Sequence, residues 1–193
     1  NIMVILSSPS GVGKTTITKK IQQKYNTFKI SVSHTTRKPR QNEVDGVDYH
    51  FVSKKDFEKL IAQNKFYEHA NIFGNYYGTL KKTVDDLFKN NDIIFDIDWQ
   101  GTQQLSKFKN LNLIKIFIIP PNKEELKIRL LKRNQDSTEE VKKRFKAFDN
   151  DVKHWSDYDY VVINENLESC YKQIEKIILI NKKKSINFAQ SFL

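Results

Sequence analysis

The chain has 193 residues, which suits one domain with a sizeable core. Its formal net charge of +10 is compatible with binding to nucleic acid, an anionic membrane surface or a phosphorylated small molecule. The lysines, however, are spread along the whole chain, which is typical of solvated helix faces. We therefore expect neither a nucleic-acid nor a membrane partner. No run of about 18 apolar residues predicts a membrane span, and the first residues lack the pattern of a secretory signal. The single cysteine, Cys170, cannot form an internal disulfide, so we expect a cytoplasmic protein in which it is buried.

The first predicted element is a buried strand over residues 2–6, followed by a glycine-containing loop and a helix that begins at about Lys14. Gly11 and Gly13 let backbone N–H groups converge, and the helix adds the positive end of its dipole. This pattern predicts a phosphate-binding loop in which Lys14 reaches the terminal phosphates and the Thr15 hydroxyl ligates Mg²⁺.

A second strand is predicted over residues 29–33, and a loop over 34–40 because Pro39 ends regular structure. Arg37 and Arg40 in this loop stand three residues apart beside hydroxyl side chains. Two guanidinium groups so placed form a fork that can grip a phosphate. Two solvated surface arginines would give the same pattern.

The following stretch predicts a small sheet with helices of its own. Asp45-Gly46 is a turn signal before a short strand, and the residues from Ser53 to Asp56 resemble a helix cap. Residues 66–73 are predicted as strands beside the sequence Gly-Asn-Tyr-Tyr-Gly-Thr at 74–79, and a helix is predicted over 79–89. The two adjacent tyrosines suit strand packing, a phosphate or a base.

An apolar strand over residues 93–98 ends in the carboxylates of Asp96 and Asp98. Ligands of open α/β sheets lie at the carboxyl ends of the strands, so we expect these acids to point into a site. A pair of acidic turn residues is the alternative. A helix over 99–107 and a strand over 114–119 complete another βα unit, and this alternation predicts a parallel sheet.

Three arginines lie on the next predicted helices. Asn122 is predicted to cap a helix that carries Arg129 and Arg133, and Ser137 a helix that carries Arg144. Arginines on a hinged helical hairpin suit a closing lid, although an ordinary surface helix has the same pattern.

The last part of the chain predicts a core strand over residues 160–164 and an amphipathic helix from Leu167 to about Lys182. Residues 183–193 have no clear period, so no element is predicted there. The four histidines lack the spacing of metal ligands, and we assign them no role.

Five motifs, in this order, resemble those of the guanylate kinase family, P-loop enzymes that convert GMP and ATP to GDP and ADP. The motifs are SGVGKT at 10–15, SHTTRKPR at 33–40, GVDY at 46–49, GNYYG at 74–78 and DIDWQG at 96–101. The resemblance covers about residues 2–182. It departs at Ser8, where the usual loop has glycine, and serine fits there only if its φ is negative. The charge is also unusually basic for the family.

The resemblance implies an α/β fold with a P-loop NTPase-type parallel sheet core flanked by helices. A small mixed α/β subdomain that binds the nucleoside monophosphate would be inserted into this core, together with a helical lid. Within a single domain at 1–193, the implied core is 1–32, 90–121 and 156–185, the implied GMP-binding insertion is 33–89 and the implied lid is 122–155.

The resemblance also implies the residues that bind GMP. Those expected to hold its phosphate are Arg37, Arg40, Tyr49 and Tyr77, with Glu43 in a supporting role. Those expected to bind guanine are Ser33 and Thr79, as donors to O6, and Glu68 and Asp98, as acceptors from N1–H and the amino group. Adenine has no N1–H and carries an amino group where these hydroxyls expect an acceptor, so the pocket would reject it.

On the donor side, the resemblance implies a site for ATP and Mg²⁺. The residues expected there are Ser10, Gly11, Val12, Gly13, Lys14, Thr15 and Thr16, with Asp96 ordering the waters of the metal and Asn164 near adenine. The residues expected to act in phosphoryl transfer are Lys14, Arg37, Arg129, Arg133 and Arg144. The acceptor phosphate has a second pKa of about 6, so it is largely ionised at neutral pH and needs no general base.

Three alternatives remain open at this point. The first is a catalytically inactive guanylate-kinase-like module that binds phosphopeptides, against which the intact Lys14-Thr15 pair and the lid arginines argue. The second is a kinase for another nucleoside monophosphate. The third is a P-loop ATPase that acts on nucleic acid, which the charge of the chain favours. The oligomeric state is expected to be a monomer or a homodimer.

Overall fold

The computed structural model of the chain describes residues 1–132 and 138–190. The strands in these ranges are β1 (Met3–Ser7), β2 (Phe28–Ile30), β3 (His34–Thr35), β4 (His50–Phe51), β5 (Phe66–Ile72), β6 (Asn75–Leu80), β7 (Asp92–Asp96), β8 (Leu113–Ile119) and β9 (Tyr160–Ile163). The helices are α1 (Lys14–Lys24), α2 (Lys54–Ala62), α3 (Lys81–Phe88), α4 (Trp99–Leu105), α5 (Lys123–Lys132), α6 (Thr138–Val152) and α7 (Leu167–Gln190), with a 3₁₀ turn at Lys153–Asp157. Over the described ranges, no helix combines the length and the hydropathy that a bilayer span needs.

The larger sheet has five parallel strands in the order β2-β7-β1-β8-β9, with β1 at its centre. All five residues of β1 are buried, as its run of apolar side chains predicts. One face of the sheet packs against α1 and α7, where Cys170 is buried as predicted, and the other packs against α3 and α4. Helices on both faces of a parallel sheet confirm the predicted α/β class.

The smaller sheet has four strands in the order β4-β3-β6-β5, and all of them lie between residues 34 and 80, inside the predicted insertion. It is mixed, because β3 runs parallel to β4 whereas its other pairs are antiparallel. Helix α2 covers one face: the ring of Phe57 stacks on Phe66 with centroids 4.6 Å apart and on Tyr76 at 5.3 Å. The cap predicted for α2 forms, since Ser53 Oγ accepts a hydrogen bond from the Asp56 N–H.

Two local predictions in this part of the chain were wrong. Residues His34–Thr35, predicted as loop, form β3 because they pair with β4 on one side and β6 on the other. Phe73, predicted at the end of a strand, lies in a two-residue turn because Ile72 pairs directly with Asn75. The turn contains Phe73 and Gly74, and both have positive φ, 51° and 84°.

The C-terminal helix is longer than its sequence pattern predicts. It was expected to end at about Lys182, but α7 continues to Gln190. At the residue where the helix was expected to end it contacts a distant part of the chain: the ammonium group of Lys182 pairs with the carboxylate of Asp92, which is fully buried. Asn112 adds a hydrogen bond of 3.3 Å from Nδ2 to Ser185 Oγ. These contacts hold a lysine-rich segment in a helix that its own periodicity does not predict.

Candidate active site

The loop between β1 and α1 has the backbone that a phosphate-binding loop needs. Gly11 and Gly13 adopt φ values of 91° and 105°, which strongly favour glycine. Ser8 does not need to be glycine, because the non-glycine residues with positive φ in the described ranges are Asn64 and Phe73. The negative φ that a serine at position 8 requires is therefore present.

Lys14 lies at the carboxyl ends of the central strands. Its ammonium nitrogen is 2.8 Å from Asp96 Oδ1 and donates to the carbonyl oxygen of Ile97, also at 2.8 Å. The same carboxylate has its other oxygen 3.5 Å from the Thr18 hydroxyl. The predicted phosphate ligand and the predicted metal-site acid are thus direct neighbours. Thr15, one residue after Lys14, is exposed at the first turn of α1.

Arg37 is held by the carboxylate of Glu43 and by Tyr77. Its two terminal nitrogens donate to Glu43 at 2.9 and 2.8 Å, and its Nε donates to the hydroxyl of Tyr77 at 3.2 Å. Glu43 also accepts from the backbone N–H of Arg40 at 2.8 Å. Burial opposes the ionisation of Glu43, but the hydrogen bonds from Arg37 and Arg40 outweigh it and lower the pKa of this carboxyl. Glu43 therefore organises both arginines of the loop.

Two tyrosines complete the surroundings of Arg37. The ring of Tyr49 lies 5.8 Å from that of Tyr77, centroid to centroid, and the Arg37 guanidinium carbon lies 5.3 Å from the Tyr49 centroid. Burial raises the pKa of Tyr49 well above its usual value. Its phenol is therefore neutral and can donate a hydrogen bond at physiological pH.

Glu68 forms the floor of a polar pocket on the smaller sheet. Its side chain is buried beside Thr79, which hydrogen-bonds to the carboxylate, and Thr79 Oγ1 is 3.1 Å from Ser33 Oγ. Burial raises the pKa of Glu68 to about 7. The group is thus poised between the protonated and ionised forms at neutral pH.

Asp98 begins helix α4 next to this pocket. Its Oδ1 accepts a hydrogen bond of 2.9 Å from the N–H of Gly101, and its Oδ2 accepts one of 3.1 Å from the Gln100 side chain. Asp98 is therefore the N-cap of α4 as well as a predicted guanine ligand. A Cβ atom on Gly101 would lie only 2.6 Å from Glu68 Oε2, so the glycine is what lets the carboxylate approach α4.

Gln104, one turn further along α4, links this helix of the core to the smaller sheet. Its side-chain amide donates to the carbonyl oxygen of His69 at 2.7 Å and accepts from the His69 N–H at 3.1 Å. This amide therefore fixes the backbone of β5 next to Glu68. Sequence reasoning missed Gln104, and it included Gly101 only as the last residue of the motif at 96–101, without a role. A glycine inside a short helix, where it weakens the helix, is a further signal that marks Gly101.

Helices α5 and α6 contribute arginines from the other side of the site. The Arg144 guanidinium donates to Ser10 Oγ in the phosphate-binding loop. Arg129 donates from Nε to Glu125 at 2.8 Å and from Nη2 to the carbonyl oxygen of Glu165 at 3.3 Å. Arg133 lies outside the described residues.

The end of α6 and the 3₁₀ turn that follows it pack on the start of α4. The ring of His154 stacks on Trp99 with centroids 3.7 Å apart, and the Trp99 indole N–H donates to Asp151 at 3.2 Å. Burial raises the pKa of Asp151 to about 6. The sequence analysis gave none of these three residues a role, Trp99 being quoted only within the motif at 96–101, and nothing in their local pattern points to this contact.

Asn164 lies against the phosphate-binding loop. It is buried, and its Nδ2 donates to the carbonyl oxygen of Val12 at 2.6 Å. Its Oδ1 is also buried and makes no hydrogen bond among the described residues. A ligand donor would satisfy this oxygen, which fits the predicted position of Asn164 near a nucleotide.

These groups share one cleft of about 860 Å³ between the two sheets and the helices α5 and α6. The predicted residues that line it are Ser10, Gly11, Val12, Gly13, Lys14, Thr15, Thr16, Ser33, Arg37, Arg40, Tyr49, Glu68, Tyr77, Asp96, Asp98, Arg129, Arg144 and Asn164. Thr79 and Glu43 stand behind them, hydrogen-bonded to Glu68 and Arg37 respectively. The phosphate-binding loop and the arginine fork therefore face the same space.

The comparisons with known proteins agree with this arrangement. A family model described as guanylate kinase matches residues 1–181. The chain belongs to the guanylate kinase family. The guanylate kinase of Rickettsia prowazekii is 46% identical over 189 residues, which are 97% of this chain and 94% of that protein. The guanylate kinase of Paramagnetospirillum magneticum is 42% identical over 184 residues, 95% of this chain and 86% of that protein.

A solved structure of a guanylate kinase has the same fold. The crystal structure of guanylate kinase from Anaplasma phagocytophilum superposes with a TM-score of 0.78 at 33% sequence identity, covering 94% of this chain and 86% of that one. The likeness therefore extends over both sheets. Recognition of the guanylate kinase family from the sequence motifs is confirmed.

Proposed function

We propose that this chain transfers the γ-phosphoryl group of ATP to GMP, and to dGMP, giving the diphosphate and ADP in a reversible reaction of purine nucleotide metabolism. The observation that carries the proposal is the shared cleft, in which Lys14 of the phosphate-binding loop and Arg37 of the fork line the same space. Two nucleotides bound at these places would meet through their phosphates. Membership of the guanylate kinase family supports the same reaction.

The phosphate of GMP would bind to the fork and the two tyrosines. Arg37 and Arg40 supply charged donors, whereas the neutral phenols of Tyr49 and Tyr77 supply uncharged ones, and a phosphate dianion accepts from both kinds. Glu43 holds Arg37 in place through two hydrogen bonds, which supports a role in positioning rather than in direct binding.

Guanine would bind to the pocket around Glu68. A carboxylate accepts from N1–H and the amino group of guanine, and the hydroxyls of Ser33 and Thr79 donate to O6. Asp98 lies at the same place, with one oxygen engaged as a helix cap. Binding guanine would favour the ionised form of Glu68, because the hydrogen bonds from the base compensate its burial.

ATP would bind to residues 10–16 and close to Asn164. The Mg²⁺ that accompanies ATP would take the Thr15 hydroxyl and, through water, Asp96. The described residues contain no group of three or more His, Cys, Asp and Glu side chains that could hold a metal on their own. The residues present fit an ion that takes most of its ligands from phosphates and water, as Mg²⁺ does in phosphoryl-transfer sites.

Catalysis in such a site is alignment and neutralisation of charge. Lys14 and Arg37 would stabilise the phosphates from the two sides, and Arg129, Arg133 and Arg144 would close on the transferred group. The GMP phosphate is already largely ionised, since its second pKa is about 6, so no side chain has to remove a proton. Closing the helices over the cleft would exclude water and prevent hydrolysis of ATP.

The division into parts follows from these roles. We propose a core at 1–32, 90–121 and 156–185, a GMP-binding insertion at 33–89 and a lid at 122–155. The enzyme would be cytoplasmic, which the lone buried Cys170 supports. It would act on free nucleotides as a monomer or homodimer, without a nucleic-acid or membrane partner.

A coupled assay of ADP formation from GMP and MgATP tests the proposal. We expect turnover that depends on both nucleotides and that falls by at least about 10³-fold in the Lys14→Ala variant, because the charge on the transferred phosphate loses its main partner. Lys82→Ala, at an exposed position of α3 that does not line the cleft, is the control. Turnover no higher in the wild type than in Lys14→Ala would contradict the proposal and favour a binding module.

A further inference from the structure

The hairpin turn between β5 and β6 places an aromatic ring at the mouth of the cleft. The turn consists of Phe73 and Gly74, whose φ values of 51° and 84° are those of a type I′ turn. The first position of such a turn favours asparagine, aspartate or glycine, and a bulky aromatic residue with positive φ is an outlier. Backbone strain of this kind is found most often where a side chain has a functional position.

The ring of Phe73 contacts the arginine on the opposite side of the cleft. The guanidinium carbon of Arg144, on α6, lies 5.5 Å from the centroid of the Phe73 ring, within the range of a cation–π interaction. The same guanidinium donates to Ser10 in the phosphate-binding loop. Arg144 is therefore held between the hairpin of the smaller sheet and the loop of the larger one.

The position of the turn links it to the pocket around Glu68. Phe73 follows directly on β5. The alternate residues Glu68, Ala70 and Ile72 of this strand share one face, and they line the cleft together with Phe73. The exposed fraction of Phe73 is 42%, so the ring is not needed to fill a core. Among the described residues, the side chain that its ring meets in a cation–π contact is that of Arg144.

We propose that Phe73 is a positioning residue for phosphoryl transfer, whose ring docks the Arg144 guanidinium and so couples closure of α6 to the sheet that binds GMP. This inference rests on the proposed function, since the step that Arg144 assists is the transfer from ATP to GMP. The strained backbone at Phe73 is then a consequence of placing an aromatic ring, rather than a small polar side chain, under the guanidinium group.

Three substitutions separate docking from a structural role. Phe73→Asn removes the ring and supplies the residue that the turn prefers, so we expect the melting temperature to stay the same or rise by about 2 °C. We expect kcat to fall about three- to tenfold while the KM for GMP changes less than about twofold, because the residues that bind GMP are untouched. Phe73→Tyr keeps the ring and should keep kcat, whereas Phe73→Leu keeps an apolar side chain without a ring and should behave like Phe73→Asn.

A double-mutant cycle identifies the partner of the ring. In the Arg144→Ala background, Phe73→Asn should cause no further loss of kcat, because the group that the ring positions is gone. An equal loss in both backgrounds, or full activity of Phe73→Leu, would overturn the proposal. An equal loss would instead favour direct stacking of the ring on a nucleotide.

Hydrogen exchange distinguishes failure of this inference from failure of the proposed function. In the protein without nucleotide, amides of α6 around Arg144 should exchange faster in Phe73→Asn than in the wild type or in Phe73→Tyr, because the docking contact is lost. A wild type without GMP turnover would overturn the proposed function, and the exchange rates would then decide on docking alone. Unchanged exchange in Phe73→Asn would overturn docking even if the wild type is active.

Discussion

The carboxylate of Glu68 and the backbone of Gly101 are in such close contact that a Cβ atom at position 101 would lie 2.6 Å from Glu68 Oε2. The two residues are far apart in sequence. Glu68 lies on β5 of the smaller sheet, whereas Gly101 lies on α4, which packs against the larger sheet. Their contact places the proposed guanine acceptor against the cap of α4, where Asp98 also lies. The base pocket is therefore built at the junction between the smaller sheet and the core.

The Gly101→Ala variant should weaken GMP binding selectively. The added methyl group must push the Glu68 carboxylate away from its hydrogen bonds with Thr79, because the side chain is buried and has little room to move. We expect the KM for GMP to rise by at least about tenfold and the KM for ATP to change less than about twofold. Steady-state kinetics with each nucleotide varied in turn measures both. Ser106→Ala, at the far end of the same helix, is the control and should change neither.

The Glu68→Gln variant should weaken GMP binding and stabilise the free protein at high pH. Loss of the charged acceptor should raise the KM for GMP roughly 100-fold with little change for ATP. In the wild type, burial raises the pKa of Glu68 to about 7, above its value of 4.5 when exposed. The folded state therefore binds more protons between these pH values, and the free energy of unfolding falls as the pH rises from about 4.5 to about 7.

Urea unfolding at two pH values tests the second part of this prediction. The glutamine variant lacks the titration, so it should gain up to about 3 kcal/mol relative to the wild type between pH 4.5 and pH 8. A difference between the two proteins that does not depend on pH would show that Glu68 is ionised without penalty. Equal loss of affinity for GMP and ATP would count against its role in binding the base.

His34 should impose a pH dependence of the opposite sign. Burial, and then the neighbouring His50, lower the pKa of His34 to about 4, and the centroids of the two rings lie 4.6 Å apart with their planes tilted by 33°. In the unfolded chain the pKa of His34 is about 6.5, so between pH 6.5 and pH 4 the unfolded state binds the proton more readily than the folded state does. The free energy of unfolding therefore falls as the pH falls through this range. The His34→Phe variant keeps an aromatic ring beside His50 and should lose less stability than the wild type over this range in urea unfolding. His34→Phe and wild type with parallel pH profiles would contradict the prediction.

The stability of the protein should depend on the pair formed by Lys182 of α7 and Asp92. Asp92 is fully buried, and its other oxygen accepts a hydrogen bond of 2.9 Å from the N–H of Ile2. The Lys182→Met variant leaves this carboxylate without its cation, so we expect a loss of about 1–3 kcal/mol in the free energy of unfolding and unchanged kcat. The control is Lys183→Met, at an exposed position of the same helix, which should change stability by less than about 0.5 kcal/mol. The double variant Lys182→Met with Asp92→Asn should recover part of the loss.

Local signals in the sequence predicted most of the elements. The apolar run of β1, the glycines of the loop and the cap at Asn122, whose Oδ1 accepts from the Glu125 N–H at 2.7 Å, all act within a few residues. Such signals also placed the residues of the phosphate-binding loop and the arginine fork, and the structure brings both to one cleft.

What the sequence could not predict depends on contacts between distant residues. The lysine-rich part of α7 pairs through Lys182 with a carboxylate ninety residues earlier in the chain, and the period of the helix's own side chains gives no indication of this contact. Gln104 and Gly101 act on β5, more than thirty residues away. Phe73 was taken for strand because an aromatic residue hides the turn signal that its positive φ reveals.

The central claim is that two nucleotides bind end to end in one cleft. The most direct measurement is calorimetric titration with a ligand in which adenosine and guanosine are joined through a polyphosphate chain, in the presence of Mg²⁺. We predict one ligand per chain, displacement by GMP as well as by ATP, and a Kd at least about tenfold lower than that of either nucleotide, because the second half binds intramolecularly. Two ligands per chain, or displacement by only one of the two nucleotides, would contradict the claim.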